Sequence, residues 1–108
     1  MKEFSGKKLL ILGGTTLSIN IVETAKNMGI YTIVMDMSPD SPTKKVADKA
    51  YDISTANVDD VVSIAKQEQV DGIFTSYEDF NTGIAAEACE KLGLPFYANL
   101  YQIDSTRN

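Results

Sequence analysis

A short run, Lys8-Leu9-Leu10-Ile11-Leu12, ends in Gly13-Gly14-Thr15-Thr16, and an amphipathic stretch begins at Leu17. This order constrains the chain more than any other, because it reads strand, tight turn, helix. The first free N–H groups of the helix then point out of the turn above the end of the strand, where the helix dipole favours negative charge. Glycine lacks the Cβ that would hold a ligand away from the backbone. The segment therefore reads as a cradle for an anion or polar ligand, with Gly13, Gly14, Thr15 and Thr16 as candidate contacts. A glycine turn that merely reverses the chain is the plainer alternative. The dinucleotide pattern G-x-G-x-x-G is incomplete, since Thr15 and Ser18 stand at its second and third glycine positions. The expectation is no appreciable binding of NAD or NADP.

The same two periods alternate along the rest of the chain. Leu17, Ile21, Val22, Ala25 and Met28 recur at helical spacing, with Gly29 where a left-handed cap belongs. Tyr31 to Asp36 is a nearly continuous apolar run of strand formers, as a buried parallel strand requires. Ser38-Pro39-Asp40-Ser41-Pro42 reads as a loop, Lys44 to Lys49 as a short helix, and Tyr51 to Ile53 as a third strand. Asn57 is a helix N-cap, followed by an apolar face of Val58, Val61, Val62 and Ala65. Gly72 to Thr75 is a fourth strand, Ile84, Ala85, Ala88, Cys89 and Leu92 are a helix face closed by Gly93, and Leu94 to Tyr97 is a last strand. Asn99 with Gln102 opens a further helix. Such alternation with short loops means parallel strands and right-handed crossovers, an α/β fold of one domain. A length of 108 residues is enough for one such core. Tyr31, Phe74, Phe96 and Tyr97 are expected in that core, and Cys89 as a small core residue rather than a nucleophile.

In a doubly wound sheet, ligands gather at the carboxyl ends of the strands. That rule selects the Gly13–Thr16 turn, then Asp36 after the second strand, then Ser76 and Glu78 after the fourth. Asp36 lies about 20 positions beyond the glycine turn, the spacing of an acid that binds ribose hydroxyls, although an aspartate before a proline loop also reads as a turn residue. Glu78 is the acid expected to face a ligand, whereas Asp79 equally reads as a helix cap.

Absences narrow the chemistry of this chain. It contains no histidine, which removes imidazole acid–base catalysis and a histidine zinc site. No lysine follows the glycine turn as a Walker loop needs. A net charge of −5 and only isolated lysine pairs argue against nucleic-acid binding. One cysteine fits a reducing, cytoplasmic setting, and no long apolar run suggests a leader or membrane span. Carboxylates without a base, a nucleophile or a metal cluster make a binding unit rather than an enzyme.

Lys8-Leu9-Leu10-Ile11-Leu12-Gly13-Gly14, Ala25-Lys26-Asn27-Met28-Gly29-Ile30, Ile33-Val34-Met35-Asp36, Asp40-Ser41-Pro42 and Ala47-Asp48 together resemble the amino-terminal domain of ATP-grasp enzymes. Asp71-Gly72-Ile73, Ala85-Ala86-Glu87-Ala88 and Lys91-Leu92-Gly93-Leu94-Pro95 continue the resemblance, as do Asp104 and Arg107-Asn108. The members it resembles include biotin carboxylase, the large subunit of carbamoyl phosphate synthase, and the purine-pathway carboxylases and formyltransferases. The resemblance implies a Rossmann-like three-layer sheet of about five strands in the order 3-2-1-4-5. It implies a pre-ATP-grasp domain over residues 1–98, with 99–108 starting the connection to an ATP-grasp region. Such enzymes activate a carboxylate as an acyl phosphate and pass it to an amine or similar nucleophile; the implied activity is carbamoyl phosphate synthase-like. The amino-terminal domain helps hold the non-nucleotide substrate, so Gly13, Gly14, Thr15, Thr16, Asp36, Ser76 and Glu78 become candidate substrate contacts. ATP and magnesium would be held by the remaining lobes of the same chain and not by this domain, which alone is expected to be inactive. The expected partners are those lobes, a small-molecule substrate and a second copy of the chain, with no nucleic acid and no membrane. The alternative is a free-standing Rossmann-like nucleotide or regulatory binding module.

Overall fold

A computed structural model describes the backbone of residues 6–13, 16–75, 79–94 and 96–97, and their side chains except at 16–18, 79–82 and 96–97. Strand β1 (Lys8–Leu12) leads to helix α1 (Thr16–Asn27), β2 (Tyr31–Met35), α2 (Pro42–Val46) and β3 (Lys49–Tyr51). Then follow α3 (Val58–Glu68), β4 (Gly72–Thr75), α4 (Asp79–Leu92) and the two-residue β5 (Phe96–Tyr97). The strands pair in parallel in the order β3-β2-β1-β4-β5, the order the family resemblance implied.

The central strand explains the three layers. Leu9 and Ile11 point to one face of the sheet, where they pack with Ile21, Val22 and Ala25 of α1 and with Val34 and Phe74. Leu10 and Leu12 point to the other, where Val61, Ile64 and Ala65 of α3 and Ala85, Ala88 and Cys89 of α4 cover them. With helices on both faces, β1 must be apolar at successive positions rather than alternating, which is why its sequence is an unbroken aliphatic run. Each large side chain fully removed from water here, Phe74 and Leu10 among them, contributes on the order of 2 kcal/mol.

Two aspartates lock the amino-terminal edge of the sheet. Asp71, just before β4, accepts the Lys8 N–H on its carboxylate at 2.8 Å and returns its own N–H to the Lys8 carbonyl at 2.8 Å. Asp48, just before β3, accepts both the N–H and the hydroxyl of Thr32, at 2.8 and 3.0 Å. Its N–H goes back to Thr32 Oγ1 at 3.1 Å. The Ala47-Asp48 and Asp71-Gly72 pairs are thus strand-entry clamps, each satisfying N–H groups that no neighbouring strand reaches.

Several boundaries differ from expectation. Helix α2 starts two residues earlier, because Pro42 occupies its first turn, where a missing N–H costs nothing, instead of closing the loop. Strand β3 is Lys49–Tyr51 rather than Tyr51 to Ile53: it is an edge strand, and polar residues are tolerated there. Strand β5 begins at Phe96. Tyr31 is exposed rather than core, its ring lying beneath the Lys8 ammonium at 5.6 Å. Phe74 is fully buried, as expected; the side chains of Phe96 and Tyr97 and the segment from Asn99 onward lie outside the described residues. Gly29 and Gly93 both take positive φ after their helices, and Asn57 accepts the Asp59 N–H at 2.8 Å as the cap of α3.

Candidate functional site

Strand register brings three strand ends to one edge. Leu12 lies beside Met35 on one side and Thr75 on the other, so β2, β1 and β4 finish level. At the spacing of neighbouring strands, their ends span roughly 10 Å. Gly13 follows directly, buried and at φ +90°, with its N–H on the Met35 carbonyl at 3.0 Å. Only glycine adopts that backbone without strain, so a sharp exit from β1 requires it. Gly14 and Thr15 lie outside the described residues, and Thr16 is described only as the first residue of α1. Ser76 and Glu78 also lie outside them, on the segment that continues from Thr75. Thr75 itself is buried, its hydroxyl directed at the Leu12 carbonyl at 3.5 Å.

Asp36 lies among the described residues. It is half-buried, one residue beyond β2, and its N–H donates to the Tyr51 carbonyl at 3.1 Å. Its carboxylate Oδ2 accepts a short hydrogen bond from the Ser41 hydroxyl. Its carbonyl accepts from Lys44 Nζ at 2.7 Å. The same ammonium donates to the Ser38 carbonyl at 2.6 Å and to the Asp52 carboxylate at 2.5 Å. The Lys44 side chain is only 7% exposed, unusual for a lysine, whereas that of Asp52 is 62% exposed. Three oxygens from the ends of β2 and β3 and from the loop between them therefore converge on one buried cation.

Ser41, Lys44 and Asp52 escaped the sequence reading. Placing β3 two residues late put Asp52 inside a strand; with the strand ending at Tyr51, the strand-end rule would have selected it. The sequence reads Ser41 as a loop residue within the Asp40-Ser41-Pro42 motif and not as a site residue, and no local pattern pairs Lys44 with Asp36.

Elsewhere, Cys89 is buried on α4 and desolvation pushes its thiol up to about 11, which suits a packing residue and not a nucleophile. Among the described residues no three metal-ligating side chains come together, and no helix is long and apolar enough to cross a membrane.

The model of the ATP-grasp N-terminal domain family matches residues 22–96. The match includes Asp36, Ser76 and Glu78 and begins after the glycine turn. The formate-dependent phosphoribosylglycinamide formyltransferase of Sulfurisphaera tokodaii is 38% identical over 81 residues, which are 75% of this chain and 20% of that protein. N5-carboxyaminoimidazole ribonucleotide synthetase from Thermotoga maritima superposes with a TM-score of 0.71 at 26% identity, covering 91% of this chain and 26% of that one. Phosphoribosylglycinamide synthetase from Anaerococcus prevotii gives 0.73 at 30% identity over 82% of this chain and 23% of that one. The chain thus spans about a fifth to a quarter of the length of these three proteins. With well over half its length matched and the sheet order in agreement, the chain belongs to the ATP-grasp N-terminal domain family.

Proposed function

We propose that this domain holds the amine-bearing, non-nucleotide substrate of an ATP-grasp ligase, at the edge where β2, β1 and β4 end. The observation that carries the reading is the level register of Leu12, Met35 and Thr75, which gathers the segments after three strands at one edge. Family membership supports the reaction class in this reading, in which a carboxylate is activated as an acyl phosphate and then attacked by an amine. In this reading the backbone N–H groups of Gly14, Thr15 and Thr16 meet an anionic or polar part of the substrate, while Gly13, whose own N–H is held by the Met35 carbonyl, lines the turn without a Cβ. Asp36, Ser76 and Glu78 accept or exchange hydrogen bonds with hydroxyl or amine groups. ATP and magnesium belong to the remaining lobes of the parent chain, with residues 99–108 starting the connection toward them.

The relatives reported above are named as a formyltransferase and synthetases of phosphoribosyl compounds, and none is a carbamoyl phosphate synthase. We therefore favour a phosphoribosyl amine over a simpler acceptor. The test is ADP formation by the complete protein, offered phosphoribosylglycinamide with formate or aminoimidazole ribonucleotide with bicarbonate. Turnover that requires one of these amines is the expected result. ADP release indifferent to both amines would remove the substrate assignment.

A further inference from the structure

Helix α2 is missing a bond that its sequence could supply. Ser41 sits at its N-cap position, where a serine hydroxyl ordinarily accepts an N–H from the first turn, yet it makes no such bond. The hydroxyl, on a residue only 6% exposed, instead donates to the Asp36 carboxylate. Three residues on, Lys44 folds back, and its ammonium reaches the Asp36 and Ser38 carbonyls and Asp52. Burying an ammonium and leaving a helix cap unmade both cost stability, and both act on the same few atoms around Asp36.

We propose that Ser41 and Lys44 are positioning residues: the hydroxyl fixes the Asp36 carboxylate and the ammonium fixes its backbone and the loop behind it. The substrate edge is thereby preformed before the substrate arrives. This rests on the substrate-edge reading given above. The pair divides the work. Ser41 occupies one carboxylate oxygen and sets the plane in which the carboxylate presents its remaining lone pairs. Lys44 ties the exit of β2 to the exit of β3 through Asp52, so the loop cannot swing without breaking three charge-assisted bonds. Its positive charge is thereby fully engaged with protein oxygens, which makes it a brace and not a ligand for a substrate phosphate.

The experiment compares Ser41→Ala, Lys44→Met and the exposed control Lys45→Met in the complete protein. Steady-state kinetics use whichever of the two amine substrates the wild type turns over, with active sites titrated. Ser41→Ala and Lys44→Met should raise KM for the amine by about tenfold, as displacement of a substrate-orienting group does, with little change in KM for ATP. Amide exchange at residues 37–41 should accelerate in both variants but not in β1 or β4, and Lys45→Met should match wild type in every respect. A merely structural role would lower the melting temperature and leave the amine KM of the folded enzyme unchanged, which would overturn the proposal. So would loop exchange equal to wild type. A wild-type protein that turns over neither amine would instead sink the substrate-edge reading, and this inference with it.

Discussion

Gly13 and Gln69 both hold left-handed backbone, for different reasons. Gly13 turns β1 out of the sheet at φ +90°, and a side chain there is strained wherever its atoms go. Gly13→Ala should cost about 1–2 kcal/mol in denaturant titrations; an unchanged midpoint would show that the turn tolerates a Cβ. Gln69 ends α3 at φ 56°, ψ 49°, its N–H reaching back to the Ala65 and Lys66 carbonyls. Nothing in the sequence marks this cap, because the residue is not glycine. Gln69→Gly should therefore stabilise the fold by about 0.5–1 kcal/mol, relief of strain outweighing the extra freedom of the unfolded glycine. Glu68, beside it, is buried and held below the ordinary carboxylate value of 4.5, first by its bond to Lys49 and then by the Tyr51 hydroxyl. A depressed acid contributes stability that is present above its unfolded value and lost as pH falls through the lower folded value. Acid titration of the wild type should show that loss below about pH 4.5, and Glu68→Gln should flatten it. Parallel acid limbs in the two proteins would contradict the assignment.

At the scale of elements, hydrophobic period was the legible signal and edge strands were not. Strands β1, β2 and β4 and helices α1, α3 and α4 stand out because each buries a face or both faces, so their sequences are constrained residue by residue. Strand β3 carries Lys49 and Ala50 in the open, and α2 is a single short helix opened by a proline; neither has a period to read. The clamps at Asp48 and Asp71 were equally hidden, since a hydrogen bond between residues 16 or 63 positions apart leaves no local pattern. Their removal gives the cleanest element-scale test. Asp71→Ala should cost about 0.5–1.5 kcal/mol through loss of its exposed bond to the Lys8 N–H. It should leave substrate binding intact, because it acts on the amino-terminal edge, opposite the candidate site. A loss of substrate affinity without a loss of stability would mean that the two edges are coupled.

For the whole molecule, the placement of the site was more legible than its contents. Strand-end topology and the glycine turn pointed to one edge, and the register of β2, β1 and β4 brings Gly13 and Asp36 to it. Missing from that reading were Ser41, Lys44 and Asp52, which come together only once β2, α2 and β3 are folded against one another. Fold alone does not decide chemistry, because the same sheet serves many ligands. The incomplete glycine pattern distinguishes the readings at this scale: calorimetry with NAD or NADP should show no low-micromolar binding, whose free energy would be around −8 kcal/mol. The most direct test of the central claim is ADP formation by the complete protein with ATP, phosphoribosylglycinamide and formate, or with aminoimidazole ribonucleotide and bicarbonate, for wild type and Asp36→Ala. Wild type should show amine-dependent turnover, and the variant a raised KM for the amine. ADP formation that depends on neither amine would contradict that claim.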